Sequence, residues 1–299
     1  RQDDMLAVWP SNYPSVTMLD FFTYAGAPGA YSLTNGGGGG IWWDDNDSGW
    51  SISASYVSQN ADNGRPEHTV SADDTTVVAG GGIGTDAAAS NATVQIAYAQ
   101  ERWGVAGAYS YTSGDNGAGL YSGNATPNAW LVSTLGTSNS FALSGWWAPE
   151  ETGFIPSISA GWGINHVSAT DTPLLNADLT DSGVNADDVL DHATSQSWYV
   201  GLTWEDAFIE GNDLGLAGGQ PTFLTSVDWD DSVNADDHVA DGNYAFELWY
   251  KFQVTDNISV SPAVFYLSRP LGQFTEALGN DSDETFTNFG GLVRTTFKF

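Results

Sequence analysis

Read backwards from its end, the chain alternates. Phe299, Phe297, Thr295, Val293, Gly291 and Phe289 share one parity, and Lys298, Thr296, Arg294, Leu292 and Gly290 share the other. In an extended strand these sets point to opposite faces. One face is mostly apolar and ends in aromatics; the other carries two cations. The same period recurs upstream. Trp50, Ile52, Ala54 and Tyr56 oppose Ser51, Ser53 and Ser55, and Val94, Ile96 and Tyr98 oppose Thr93, Gln95, Ala97 and Ala99. Further strands are predicted at Ile41–Trp43, Trp103–Tyr111, Phe141–Trp147, Ile158–Ile164, Trp198–Trp204, Leu214–Gly218, Tyr244–Phe252 and Ile258–Tyr266. With a weakly patterned Arg1–Trp9 at the start, the count is about twelve, the even number an up-and-down barrel takes.

The connections alternate as well. Asp44–Gly49, Gln100–Arg102, Pro149–Gly153 and Thr255–Asn257 are short and polar. Gln59–Asn91, Thr112–Ser138, Asn165–Thr194, the acidic stretch ending near Gly242, and Ser268–Glu284 are long. Pro10–Gly40 is also predicted to be a long connection, with Gly36–Gly40 as its flexible part. Long structureless loops argue against a compact soluble domain. Short turns on one side and long loops on the other are the rule in outer-membrane barrels. Aromatics fall at strand ends, as in Trp50 and Tyr56, Trp103 and Tyr111, or Trp198 and Trp204. Interfacial girdles would lie there, whereas a sandwich would place bulky residues mid-strand. The second face, of Ser, Thr, Gln, Gly and Ala, suits a wet lumen. The expected fold is an all-β, antiparallel transmembrane β-barrel of the bacterial outer membrane, with periplasmic turns and acidic extracellular loops.

Composition narrows the partners. Seven Lys/Arg face 37 Asp/Glu, a formal charge of -30, which excludes nucleic acid as an expected partner because phosphates need basic patches. There is no Cys, hence no disulfide framework or thiolate chemistry. No run approaches the ~20 apolar residues of a membrane helix, a test that a strand-spanning protein escapes. The chain opens on Arg1 without an initiator Met or signal peptide, and is read as a mature or truncated piece of something longer.

Candidate chemistry is sparse. On the polar parity, Glu205, Glu247, Lys251 and Arg294 are expected to line a pore, with Lys298 at its periplasmic rim. Two loops carry a near-repeat, Asp181–Asp188 and Asp231–Asp237. Asp181, Asp187, Asp188, Asp231, Asp236 and Asp237 are either an acidic solvated surface or a set of Ca²⁺ ligands, since Ca²⁺ takes carboxylate and amide oxygens in flexible geometry. Neither loop has EF-hand spacing. His68, His166, His192 and His238 are predicted in long loops, and no Gly-x-Ser-x-Gly elbow accompanies them, so no enzyme is expected. Apart from Ca²⁺ at the outer loops, no cofactor is expected. The acidity predicts a cation-favouring mouth, screened by salt.

The segments RQDDMLAVWPSNYPS at the start, FFTYAGAPGAYSL after it, and GGLVRTTFKF at the end resemble the cyanobacterial branch of the carbohydrate-selective (OprB-type) porin family, many of them labelled iron-uptake porins. The resemblance covers essentially the whole chain, 1–299, as the C-terminal part of a porin domain. It implies a homotrimer of roughly sixteen-stranded barrels in outer-membrane lipid. It also implies an S-layer-homology domain that binds peptidoglycan, a coiled coil and the first strands upstream. Its solutes would be small and hydrophilic: sugars, inorganic ions or iron. Two readings compete with a porin. One is a secreted Ca²⁺-dependent β-sandwich or lectin-like module, which shares the acidity and the Asp/Asn loops. The other is a barrel serving as a tether or phage receptor.

Overall fold

The computed structural model describes residues 2–6, 18–31, 33–45, 47–70, 77–113, 123–151, 153–170, 189–230, 239–273 and 286–298. Thirteen strands follow in chain order: β1 Gly37–Asp45, β2 Trp50–Ser58, β3 Thr69–Val70, β4 Val77–Val78, β5 Ser90–Gln100, β6 Trp103–Thr112, β7 Gly136–Trp147, β8 Ser157–Ala169, β9 Leu190–Trp204, β10 Asp213–Trp229, β11 Tyr244–Thr255, β12 Ile258–Ser268 and β13 Thr287–Phe297. Eleven of them form one sheet in the order β1-β2-β5-β6-β7-β8-β9-β10-β11-β12-β13, and β3 pairs with β4 alone. Every neighbour in the large sheet is antiparallel. Short connections join β1–β2, β5–β6, β7–β8, β9–β10 and β11–β12 at one end, and the long ones lie at the other. β1 and β13 both run toward the short-turn end, so the two edges are parallel to each other. An all-antiparallel closure therefore requires an odd number of strands between them.

The sheet has eleven strands where the sequence pattern predicts about twelve. Gln2–Met5 is a 3-10 turn rather than part of a first strand. The side chain of Gln2 is fully buried and binds the inner face of β2 and β5, donating to Ser55 Oγ (3.1 Å) and Asn91 Oδ1 (2.8 Å). The glycine run is also not loose: Gly37–Gly40 are the first half of β1, in register with Ser58–Ser55.

The two faces of the sheet are inverted relative to a water-soluble protein. Ser51, Ser53, Thr93 and Gln95 are at most 3% exposed, while Ile52, Ile96 and Leu143 are 43%, 50% and 60% exposed. A contiguous apolar face of this size is not stable in water, and hydrocarbon is the solvent that accommodates it. A sandwich would bury that parity against a second sheet. Aromatic rings ring the short-turn end on this outer face, with Trp50–Tyr98 at 4.9 Å and Tyr98–Trp103 at 5.3 Å between centroids. Inside, polar side chains form ladders across the strands. Asn91 donates to Ser110 Oγ (2.8 Å) and Thr112 Oγ1 (2.9 Å), and Thr93 donates to Asn91 Oδ1 (2.6 Å). The buried hydroxyls of Ser53, Ser144, Ser157, Ser197 and Thr203 have no hydrogen-bond partner among the described residues. Each such group costs about 1–3 kcal/mol relative to a hydrogen-bonded one.

Two stretches outside the sheet pack against its inner face. The first, Met18–Tyr31, holds a 3-10 turn (Asp20–Tyr24) and the short helix α1 (Pro28–Tyr31), which contacts β6, β7 and β8. The second carries α2 (Pro127–Ser133), within the connection predicted as a plain loop. The Thr126 side chain caps it by accepting from Ala129 N, and Pro127 at its first position needs no amide partner. Ala129 and Val132 pack on Val167, Ala193, Leu224 and Val227 of β8, β9 and β10. His166 and His192, expected in loops, stand in β8 and β9, beside Thr194 (3.1 Å) and Asp228 (3.5 Å) respectively.

Candidate functional site

Inward parity near the short-turn end gathers charge. Thr203 of β9 and Glu205 just after it, Asp213 at the start of β10, Trp249 and Lys251 of β11, Ser259 and Ser261 of β12, and Arg294, Thr296 and Lys298 at the end of the chain line one cavity of about 200 Å³, with Met18 as another wall. Lys251, Arg294 and Lys298 are three of the seven basic residues of this acidic chain. Strand register explains the convergence. Asp213 lies opposite Lys251, and Ser259 and Ser261 lie opposite Thr296 and Arg294. The first pair closes an ion pair at 2.6 Å between Lys251 Nζ and Asp213 Oδ2. Glu205 and Asp213 thus stand at the β9–β10 side and Arg294 and Lys298 at the β13 side, so a field runs across the cavity.

Room for Trp249 comes from its cross-strand neighbour. A Cβ on Gly215 would lie 2.0 Å from the indole, so only glycine fits opposite it. The ring packs over Gly215 and is 4% exposed, so it backs the cavity wall behind the Ser and Thr hydroxyls. Glycine opposes an aromatic in the same way at Gly104 with Trp146 and at Gly290 with Phe265.

Of the residues expected to line a pore, Glu205, Lys251 and Arg294 meet at this cavity, and Lys298 joins them. Glu247 also faces inward, four positions before Lys251, and is 2% exposed. Its carboxylate accepts from the backbone amides of Met18 (2.6 Å) and Leu19 (2.5 Å), and Arg294 attracts it electrostatically. Asp213, Trp249 and Met18 were not singled out from sequence. Asp213 sits beside a turn like many other acids here, and only the register with Lys251 distinguishes it.

A second buried acid lies toward the long-loop end. Asp241 is 1% exposed and accepts from Leu224 N (2.9 Å), Gln273 N (3.1 Å), Asn128 Nδ2 (3.5 Å) and the Thr126 hydroxyl. It ties the start of α2, β10 and the residues after β12 into one knot. Burial pushes its carboxyl above the ordinary value, partly offset by these hydrogen bonds. Nothing along the chain marks it out, since it belongs to an acidic run. Asp181, Asp187, Asp188, Asp231, Asp236 and Asp237 lie outside the described residues, as does His238. Among the described residues no three His, Asp or Glu side chains converge in a metal-holding group.

Known proteins bear on this arrangement. Uncharacterized protein alr4550 of Nostoc sp. is 27% identical over 196 residues, covering 66% of this chain and 27% of its own. Uncharacterized protein sll0772 of Synechocystis sp. is 28% identical over 151 residues, covering 49% and 23%. The chain spans about a quarter of the length of the curated relatives it matches. Similar solved structures include the anion-selective porin from Comamonas acidovorans, with a TM-score of 0.48 and 9% identity over 87% of this chain and 58% of that one. Pseudomonas putida OprB at high pH gives a TM-score of 0.36 and 14% identity over 86% and 71%. Residues 47–299 match the model of the carbohydrate-selective porin, OprB family. That match takes in every strand from β2 onward together with every charged residue of the cavity, and the chain therefore belongs to this family.

Proposed function

We propose that this chain builds the wall of an outer-membrane porin through which small hydrophilic solutes, sugars foremost and inorganic ions with them, diffuse down their gradients. The inverted sheet carries this reading: its apolar parity faces outward while Ser, Thr, Gln and paired charges face inward. A solute passing the short-turn end meets hydroxyls and the field between Glu205–Asp213 and Arg294–Lys298. Hydroxyls suit a sugar, and the field orients a dipolar solute without a deep binding well. At the other end the acidic loops around Asp181–Asp188 and Asp231–Asp237 would concentrate cations, Ca²⁺ and iron included.

The parallel edges of the sheet support a closed barrel with an even number of strands, to which the described residues contribute eleven. Resemblance to the cyanobacterial branch supports a homotrimer whose whole protein is tied to peptidoglycan through an S-layer-homology domain. Nothing in this reading calls for catalysis.

The test is single-channel recording in a planar bilayer, with reversal potential in a KCl gradient and sugar flux into liposomes. Stable steps with sugar uptake are expected; their absence from protein that stays soluble without detergent sinks the reading. Arg294→Ser should move the reversal potential toward cations. Unchanged selectivity would remove Arg294 from the solute path.

A further inference from the structure

Met18–Tyr31 lies outside the sheet, yet it supplies some of the most buried side chains of the protein: Phe22 at 0% exposure, Ala25 at 0%, and Ala27, Ala30 and Tyr31 at 1%. Its seat is cut into the wall. A Cβ on Gly161 would fall 1.8 Å from the Ala25 carbonyl oxygen, and one on Gly163 would fall 2.8 Å from Ala27 Cβ. Both glycines are on the inward parity of β8. On the segment's side, Gly26 (φ +65°) would bring a Cβ within 2.7 Å of Tyr199 N, so backbone meets backbone without side chains between. Phe22 packs 6.2 Å from the Tyr199 ring. Farther along the same interior, Glu247 receives the amides of Met18 and Leu19, both its oxygens engaged.

A carboxylate buried to this degree gives up most of its hydration. Solute diffusion alone needs no such group, and a selectivity charge works when it is displayed to passing ions. Two charge-assisted amide bonds are a use that repays burial. Met18 also forms a wall of the charged cavity, so the point where Glu247 grips the segment is the point where the segment narrows the path.

We infer that Glu247 is a positioning residue: it latches Met18–Tyr31 across the lumen as a strap, and the strap sets the cross-section of the pore. The inference rests on the porin reading. Its charge is engaged by the strap and contributes little to ion selectivity. Loss of the latch frees one end of the strap, and the glycine seat holds the other.

The experiment is planar-bilayer recording of the whole protein with Glu247→Ala and Glu247→Gln. Alanine should raise single-channel conductance roughly twofold, as a pore does when its narrowest part widens. Glutamine keeps one acceptor oxygen and should give an intermediate conductance. Neither should move the reversal potential appreciably; a shift toward anions at unchanged conductance would show a displayed charge and overturn the latch. The chain has no native cysteine, so Ala27→Cys with Gly163→Cys tests the seat separately. Their Cβ atoms need to separate only a little to reach the roughly 3.5–4.5 Å of a disulfide. Oxidation should cross-link the pair in conducting channels, with or without Glu247→Ala, because the seat holds that end of the strap in both. Conducting channels that never cross-link would overturn the strap, and this holds even if Glu247→Ala fails to insert. No channels from the unaltered protein would instead be a failure of the porin reading.

Discussion

Leu143 is 60% exposed, and in a soluble protein an arginine there would change stability by no more than about 0.5 kcal/mol. The inverted sheet predicts the opposite. Leu143 points outward from β7, paired with Gly107 on one side and Trp162 on the other. It stands four positions from Trp147, an outward ring at the short-turn end. At about 3.4 Å per residue and a tilt near 45°, that is roughly 10 Å of height. An apolar band about 25 Å tall has its midplane about 12 Å from either edge, so Leu143 lies within a few ångströms of the middle. Arginine at such a depth costs about 2–4 kcal/mol, which is roughly 30- to 900-fold in the folding equilibrium. The assay is urea unfolding in lipid vesicles followed by tryptophan fluorescence, with Gln59→Arg as the control in an exposed position at the long-loop end. Equal stability of Leu143→Arg and the control would mean that the exposed parity faces water, and the membrane assignment would fall with it.

Other expectations follow from single contacts. Gly161→Ala puts a Cβ 1.8 Å from the Ala25 oxygen, so strap or strand must shift, at about 1–3 kcal/mol of overpacking. Its melting temperature in detergent should drop, while Gly107→Ala, whose nearest neighbour is 3.8 Å away, should melt like wild type. Asp241→Ala strands the amides of Leu224 and Gln273 and the Thr126 hydroxyl, and should cost roughly 2–4 kcal/mol at neutral pH. Because burial raises the Asp241 carboxyl above its ordinary 3.8, its contribution is fullest below that pH and is lost as pH rises through the raised value. The melting temperature of wild type minus that of Asp241→Asn should therefore fall from acid toward neutrality; a difference that grows with pH would contradict the burial argument.

The parity of nearly every strand was legible because lipid and lumen impose opposite demands on alternate residues. Extents were less legible, and for the same reason. The apolar alternation of β9 begins at Trp198 and that of β10 ends near Gly218, yet the strands reach Leu190 and Trp229. Residues such as Asp191, His192, Thr225 and Ser226 continue the ladder beyond the apolar band. The outer face there no longer meets lipid, and on the inner face Ala193, Leu224 and Val227 are buried against α2, so the apolar-out alternation is not enforced. Gly37–Gly40 carries no side chain to show a face, so its strand emerges only from pairing with β2.

What the sequence determined by itself is local: which parity is apolar, where tight turns fall, and that Glu205, Glu247, Lys251 and Arg294 share the polar side. Alternation is a property of neighbours a few residues apart, so it can be read along the chain. Tertiary structure alone decided what fills the interior. Met18 and Leu19 meet a carboxylate more than two hundred residues away, and FFTYAGAPGAY has neither a strand nor a long-helix period to announce its burial. Asp241 looks like any acid of its loop until Thr126, Leu224 and Gln273 surround it. Contacts of that range are fixed by sheet register and by the glycines that let backbones approach, and these exist only once the wall has formed.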